Sequence, residues 1–268
     1  MPTKELEQAQ TAVERATAKS RAEEQERTAG TATREAIQRT AALRRRTGVS
    51  RFLFENGLAL VATALFVLSF AGQVVSGRAA YNEEQQQHGQ PAVGYADYFG
   101  TGAFVEATAE NWESEFLQMG LFVVLTAFLY QRGSSESKKI DEPEAVDQRP
   151  EDASSNPDAP WPVRHGGLPL TLYKHSLSLA LFALFLVSFV LHAAGGAADY
   201  SEEQQTHGGQ PVGVLAYLAT SRFWFESFQN WQSEFMSVAV LVLLSIWLRE
   251  HRSPQSKPVA AAHSETGE

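Results

Sequence analysis

The chain has 268 residues, 44% of them hydrophobic and 20% charged, and its 22 basic and 31 acidic side chains give a net charge of −9 at pH 7. This acidic balance argues against nucleic acid as a partner. Because the chain contains no cysteine, disulfides, thiolate nucleophiles, iron–sulfur clusters and thiolate zinc sites are excluded.

The first predicted element is a polar extension over residues 1–50, rich in alanine, glutamate, glutamine and arginine. Large apolar side chains are scarce there, so we expect a solvated helix or a disordered coil without a core. The basic cluster at its end, Arg44 to Arg46, is suited to rest on anionic lipid headgroups.

Residues 51–132 are predicted to form a first membrane hairpin. The stretch from Asn56 to Gly77 contains no ionised side chain and is long enough to cross a hydrocarbon core of roughly 30 Å. The second apolar block, Phe116 to Gln131, falls short of the about 20 residues that a crossing helix needs. We therefore expect this helix to begin near Trp112, which places Glu115 inside the membrane.

Residues 133–167 form an acidic, proline-rich cytoplasmic linker that is predicted to be disordered. Residues 168–252 are predicted to form a second membrane hairpin, and residues 253–268 a C-terminal tail. In this hairpin, the apolar run between Lys174 and Asp199 is long enough to cross. The last apolar block ends at Leu248 and is again short, so its helix is expected to begin near Gln229 and to include Glu234.

Basic residues flank only one end of each predicted crossing helix, which predicts the orientation of the chain. These flanks hold Arg44 to Arg46, Arg51, Arg132, Lys138, Lys139, Arg164, Lys174, Arg249, Arg252 and Lys257. The two remaining loops carry Arg78 and Arg222 as their only basic residues. We therefore expect both termini in the cytoplasm and both of these loops outside.

The two predicted hairpins resemble each other in sequence at a spacing of 119 residues. Glu83 to Gly89 aligns with Glu202 to Gly208, and after a one-residue insertion the segment that begins at Asn111 aligns with the one that begins at Asn230. Two crossings per unit insert both units in the same direction. The predicted fold is therefore all-α and integral to the membrane, with four transmembrane helices arranged as two parallel helical-hairpin repeats.

Several motifs carry a resemblance to a known family: ENGL at Glu55 to Leu58, the two EEQQ-x-HG loops, NWESEFLQ and NWQSEF, and PWPVR at Pro160 to Arg164. Over about Arg51 to Val259, the chain resembles bacterial multi-pass membrane proteins that are grouped as a domain of unknown function. The resemblance implies a multi-pass protein of the bacterial inner membrane. It implies no activity, and residues 1–50 extend beyond it.

The outer loops supply a first candidate site. Glu84 and His88 share one helix face if the first helix continues beyond the membrane, and Glu203 and His207 do the same in the second unit. Carboxylate and imidazole together are suitable zinc or copper ligands, so two such pairs predict a four-ligand divalent-metal site. The alternative is a solvated helix end in which each histidine pairs with its glutamate and glycine terminates the helix.

A second candidate site is a polar cluster inside the membrane, formed by Gln73, Glu115, His192 and Glu234. Ionisable residues are costly at this depth, so they favour a function such as a proton or cation relay. The alternative is a hydrogen-bonded clamp between the hairpins. The helices carry no polar residues that continue this cluster to the cytoplasmic side, so no conduction path is visible.

Hydrolase, kinase and metalloprotease motifs such as G-x-S-x-G, H-E-x-x-H and a phosphate-binding glycine loop are absent from the sequence. We therefore expect a non-enzymatic integral membrane protein with a structural or interaction role, the lipid bilayer as its partner and no cofactor. One alternative is a small proton or cation channel or transporter, in which any wide pore would require a homo-oligomer. The other alternative is an outward-facing divalent-metal-binding protein.

Overall fold

A computed structural model describes residues 47–267, and within this range the protein is all-helical, without strands. The predicted extension over residues 1–50 lies almost entirely outside the described residues. The helices are α1 Gly48–Glu55, α2 Gly57–Gln87, α3 Tyr95–Tyr98, α4 Gly102–Phe128, α5 Trp161–His165, α6 Gly167–Lys174, α7 Ser176–Thr206, α8 Val214–Tyr217 and α9 Ser221–Leu244. The described residues divide into two compact units, which meet in the sequence between Gln73 and Val74.

In the first unit, α1 ends at a polar junction before α2 begins. The Asn56 side-chain amide donates to the backbone carbonyl of Phe52 at 2.9 Å, and Arg51 forms an ion pair with Glu55 at 2.6 Å. The apolar side chains of α2 are largely exposed; Leu58, for example, is 88% exposed. A helix with apolar side chains exposed on every face is typical of contact with lipid rather than with water.

Two of the described helices, α2 and α7, are long and apolar enough to cross a membrane, with mean hydropathies of 2.2 and 2.3 over their most apolar windows. The sequence predicts four crossing helices, and by length and composition the structure supports two of them. The reason lies in α4 and α9: the first half of α4 carries four glutamates, α9 carries Arg222, Glu226 and Glu234, and the apolar parts of the two helices end at Phe128 and Leu244. The apolar segments of these two helices are therefore shorter than the sequence blocks suggested.

In the second unit, α4 packs most extensively against α7, and α9 packs against α4. Glycines allow the backbones of α4 and α7 to approach closely. A Cβ atom on Gly195 of α7 would lie 2.6 Å from the backbone nitrogen of Glu106, and one on Gly102 of α4 would lie 2.3 Å from the backbone nitrogen of Asp199. Small residues at the contact are the usual means of close helix packing in membranes. This contact places the start of α4 beside the second half of α7.

The EEQQ segments are helical, because α2 extends to Gln87 and α7 extends to Thr206. Both helices end at a glycine with a positive φ, 71° at Gly89 and 77° at Gly208. Glycine tolerates this left-handed conformation without a steric penalty and therefore terminates each helix. After each turn, the chain folds back and begins a further helix with a threonine cap, Thr101 before α4 and Thr220 before α9.

Within the linker at residues 133–167, which the sequence predicts to be disordered, the structure describes short helices. Two 3-10 helices, Ala145–Asp147 and Pro150–Ala153, precede α5. Lys138 forms an ion pair with Asp147 at 2.7 Å, and Lys174 pairs with Glu151. These local ion pairs and turns supply contacts that composition alone does not reveal.

Candidate functional site

A buried ion pair joins α7 to α4. His192 and Glu113 are both 0% exposed, and the Nδ1 atom of His192 lies 2.7 Å from Oε2 of Glu113. The other carboxylate oxygen accepts a hydrogen bond from the indole Nε1 of Trp231 on α9, at 3.1 Å. An acidic residue can be buried at this contact because both of its oxygens have partners.

The second ring nitrogen of His192 is unsatisfied. Its Nε2 atom is buried and forms no hydrogen bond within residues 47–267. The nearest acceptor is Oε2 of Glu226 at 3.6 Å, which is beyond hydrogen-bonding distance. The ring packs against Phe223, with 4.8 Å between the ring centroids. Because a buried polar atom without a partner is costly, this geometry indicates a position for a further ligand.

Tyr217 bridges two carboxyl groups beside this nitrogen. Its hydroxyl lies 2.9 Å from Oε1 of Glu106 and 2.5 Å from Oε2 of Glu226. A phenol has only one proton to donate, so one of the two glutamates must supply the proton for the second hydrogen bond. Burial, together with the nearby negative charges of Asp199 and Glu226, raises the pKa of Glu106 to about 8. Glu106 is therefore the carboxyl group that donates, and Tyr217 donates to Glu226.

Glu226 remains ionised despite its partial burial. Burial alone would raise its pKa, but the contacts with His192, Tyr217 and Arg222 lower the pKa to about 2. The Nε atom of Arg222 donates to Oε1 of Glu226 at 2.8 Å. The same guanidinium pairs with Asp199 at 3.1 Å and with Glu203. Arg222 therefore leaves Oε2 of Glu226 directed toward His192 and Tyr217.

Three of these groups, Glu106, Arg222 and Glu226, border a cavity of about 270 Å³ that is also lined by Ala107, Glu110, Gln229 and Asn230. The ligand atoms of Glu106, His192 and Glu226 all lie within 4.8 Å of one another, which is the one metal-compatible cluster among the described residues. We call Glu106, Glu113, His192, Tyr217, Arg222 and Glu226 the buried polar centre. Its chemistry combines a free imidazole nitrogen with carboxylate oxygens, so it is suited to bind a cation.

A pH dependence of stability follows from Glu106. In chelator-treated protein, we expect the free energy of unfolding to fall as the pH rises from about 5 to about 8, because the folded state retains a proton that the unfolded chain releases above its ordinary pKa of 4.5. The slope is at most about 1.4 kcal/mol per pH unit. Thermal unfolding at a series of pH values checks this, with Glu106→Gln as the variant that should flatten the dependence. An equal slope in both proteins would contradict the assignment.

The structure brings the four residues of the predicted outer site into one pocket. Glu84, His88, Glu203 and His207 all line a cavity of about 420 Å³, and the two histidine rings are 6.1 Å apart. Each Nδ1 atom contacts the backbone carbonyl four residues earlier, and the carboxylate of Glu203 pairs with Arg222. Metal binding in this outer pocket stays a prediction.

Of the four residues predicted to form a polar cluster within the membrane, only His192 belongs to the buried polar centre. His192 pairs with Glu113, whereas Glu115 is exposed and Glu234 is half-buried. Glu115 and Glu234 are close enough for their charges to interact. Gln73 is half-buried and belongs to the first unit.

The sequence analysis missed most of the centre because it favoured residues that are matched between the two halves. Glu115 matches Glu234 at the 119-residue spacing, whereas Glu113 corresponds to Gln232 and Glu106 corresponds to Phe225. A different signal was available. Glu106, Glu110 and Glu113 follow one another at spacings of four and three residues, which places them on one helix face.

Comparison with known proteins places the chain in a family. The family model described as "Domain of unknown function (DUF6766)" matches residues 49–268. A search of curated proteins and a search of solved structures each found no match. The match covers most of the chain and begins where the N-terminal extension was predicted to end. The expected membership of a family of unknown function is thereby confirmed: this chain belongs to the DUF6766 family.

Proposed function

We propose that the chain is a multi-pass integral membrane protein with four crossings, in which α2 with α4 and α7 with α9 form two parallel hairpin repeats. The bounds of the helices support this arrangement. Helices α2 and α7 both have 31 residues and begin 119 residues apart. The starts of α4 and α9 are also 119 residues apart. Exposed apolar side chains along α4 and α9, including Phe128 at 74% and Met236 at 57%, suit contact with lipid.

Similar contacts in the two halves also support the repeat. The Asn82 side chain bonds to both backbone groups of Val93, and the Ser201 hydroxyl bonds in the same way to Val212. In each half, a side chain from the outer end of a long helix therefore holds the returning chain. Each pair of equivalent residues is 119 positions apart.

Labelling of single cysteines tests the topology, and the natural absence of cysteine makes every introduced thiol unique. We expect an impermeant maleimide to label Gln90→Cys and Gln210→Cys in intact bacterial cells. Asp158→Cys and Ala260→Cys should react only after the cells are permeabilised, because α4 and α9 return the chain to the cytoplasm. All four positions are exposed, so accessibility of the side chain does not limit the reaction. Labelling of Asp158→Cys in intact cells would exclude a crossing by α4.

For the activity, we propose reversible cation binding at the buried polar centre, in a non-enzymatic protein of the inner membrane. The observation that carries this proposal is the buried, unpaired Nε2 atom of His192 beside the carboxylate of Glu226. A proton or a metal ion at this position would satisfy the nitrogen and at the same time offset the negative charge of the surrounding glutamates.

Binding fits the geometry better than conduction. Beyond Glu113, toward the predicted cytoplasmic end, α4 and α7 are joined by an apolar contact between Gly120 and Phe182. A Cβ atom on Gly120 would lie 3.2 Å from the Phe182 ring, so the two helices leave little space there. An ion would find no polar side chain at this contact to replace its hydration shell. The centre is therefore proposed to exchange its cation with one side of the membrane.

Trp231 provides an internal reporter of the occupant, because its indole donates directly to Glu113. In chelator-treated protein, we expect the Trp231 emission to change when the pH is varied, because Glu113 accepts from the Trp231 indole and also contacts the titratable His192 ring. The Trp231→Phe variant measures the emission of the other tryptophans, which is then subtracted. The charged and titratable groups around the His192 ring are Glu106, Glu110, Glu113, Asp199, Tyr217, Arg222 and Glu226.

The matched variants are His192→Gln, which removes the titrating ring, and Glu115→Gln, which changes an exposed carboxylate two positions from Glu113. We expect the pH response to be lost in His192→Gln and retained in Glu115→Gln. A Trp231 signal that stays constant with pH and on addition of Zn²⁺ or Mn²⁺ would favour a static clamp between helices and would contradict cation binding.

A further inference from the structure

We infer that the buried polar centre is a binding site for a divalent first-row transition-metal ion, with Glu106, His192 and Glu226 as its protein ligands. The inference rests on the proposed cation-binding function and names the class of cation. The three residues come from three different helices, α4, α7 and α9, so an ion bound here would join them. Their ligand atoms already lie within 4.8 Å of one another.

The donor set indicates the class of metal. One imidazole nitrogen and two carboxylate oxygens suit Zn²⁺, Mn²⁺ or Fe²⁺, which accept nitrogen and oxygen ligands together. Calcium and magnesium prefer sites made of oxygen alone and require six or more ligands. A buried imidazole with a free nitrogen therefore favours a transition metal over these hard cations.

The surroundings of His192 match those of a metal ligand. Metal-binding histidines commonly donate their second N–H to a carboxylate, which orients the ring and selects the tautomer. Here Nδ1 lies 2.7 Å from Oε2 of Glu113, so in the neutral ring a proton on Nδ1 donates to this carboxylate and the lone pair is left on Nε2. Glu113 is oriented in turn by the Trp231 indole. The Nε2 atom therefore points toward Glu226 in the form that binds metals.

The carboxylates are arranged in a similar way. Arg222 bonds to Oε1 of Glu226 and leaves Oε2 directed toward the histidine nitrogen. The Tyr217 hydroxyl forms hydrogen bonds with Oε2 of Glu226 and with Oε1 of Glu106. It thus links carboxyl groups that a bound metal ion would also link.

The cavity beside the centre offers a polar entry for a hydrated ion. Glu110, Gln229 and Asn230 line it together with the ligands Glu106 and Glu226, and its volume is about 270 Å³. Glu110 is half-buried on the same face of α4 as Glu106. Its charge attracts a cation toward the three-atom cluster without being one of the ligands.

The test uses the full-length protein in detergent, stripped with a chelator and titrated with Zn²⁺ or Mn²⁺. We expect one equivalent to bind, measured by calorimetry and by elemental mass spectrometry after desalting, and no comparable binding of Mg²⁺. Affinity should fall at least about tenfold in Glu226→Gln and in His192→Gln, and by about 10- to 100-fold in Glu113→Gln, which removes the partner of the histidine. The control Glu115→Gln, which changes an exposed carboxylate that does not line the cavity, should retain the binding stoichiometry and affinity.

Folding of each variant is checked by circular dichroism, and Glu106→Gln preserves a hydrogen-bond donor for Tyr217 while removing a ligand charge. If neither metal binds but the Trp231 emission still responds to pH, the metal inference is overturned and proton binding stands. If neither metal nor pH changes the signal, the cation-binding function falls as well. Binding that persists in Glu106→Gln and Glu226→Gln but vanishes in His88→Ala with His207→Ala would move the site to the outer pocket and overturn the inference.

Discussion

Replacing Glu113 by alanine is expected to lower the free energy of unfolding by about 3 kcal/mol, which is the lower end of the range of about 3–5 kcal/mol for breaking a buried ion pair. The reason is geometric. Glu113 is 0% exposed, and its two oxygens accept from His192 and from Trp231. Without the carboxylate, the buried histidine and the half-buried indole both lose their acceptor. The lower end applies because His192 is able to lose its charge, which reduces the penalty.

The matched control is Glu115→Ala, two positions along the same helix. Glu115 is exposed, so its removal should change the free energy of unfolding by less than about 0.5 kcal/mol. Unfolding in detergent, followed by the helical circular-dichroism signal, measures both variants. Similar losses of stability in the two proteins would mean that the Glu113–His192 pair does not join α4 to α7.

Gly196→Ala is expected to destabilise the protein by about 1–3 kcal/mol through overpacking. A Cβ atom on Gly196 would lie 2.5 Å from the hydroxyl oxygen of Tyr217. Tyr217 is fully buried and is packed by Tyr200 and Phe223, with ring centroids at 5.9 and 5.6 Å, so the ring has little freedom to move. The added methyl group should also displace the hydroxyl from Glu106 and thereby weaken the cation response of the buried polar centre.

Two other glycines calibrate this experiment. Gly77→Ala should show the same clash, because its Cβ atom would lie 2.3 Å from the hydroxyl of Tyr98. Gly72→Ala lies in α2, where an added Cβ would meet no heavy atom of the described chain within 4 Å. This change should be neutral or stabilising by about 0.5–1 kcal/mol, because alanine favours the helix. Melting temperatures of the three variants provide the comparison, and a loss for Gly72→Ala equal to that for Gly196→Ala would contradict the packing explanation.

Much of the secondary structure could be predicted from hydrophobic patterning alone. The uncharged run from Asn56 to Gly77 and its counterpart after Lys174 predicted two long helices, and α2 and α7 occupy these positions. Glycine at the ends of the EEQQ segments marked where these helices stop. The bounds of α4 and α9 were less accessible, because glutamates in their first halves conceal a continuous helix behind a short apolar block.

The partners within the site could not be predicted in the same way. Sequence reasoning selected His192 and proposed Glu115 and Glu234 as its acidic partners, whereas in the structure the ring contacts Glu113. Along a helix of 3.6 residues per turn, Glu113 and Glu115 lie about 200° apart, so only one of them can face α7. Which one does so depends on how α4 is rotated against its neighbour, and that rotation is set by close contacts such as Gly102 with the backbone of Asp199.

By itself, the amino-acid sequence determined the helical character of the described chain, the two long apolar helices and the ends of both outer turns, because these depend on local composition and on periodicity. Only the tertiary structure decided that Glu106, His192 and Glu226 converge, since they lie on three helices and are separated by at least 34 positions. Their approach depends on the packing of α4 against α7 and α9, which depends on side-chain shape across long sequence distances. Hydrophobic periodicity identifies the face that a helix buries, but it does not specify the neighbouring helix or the rotation that brings particular side chains together.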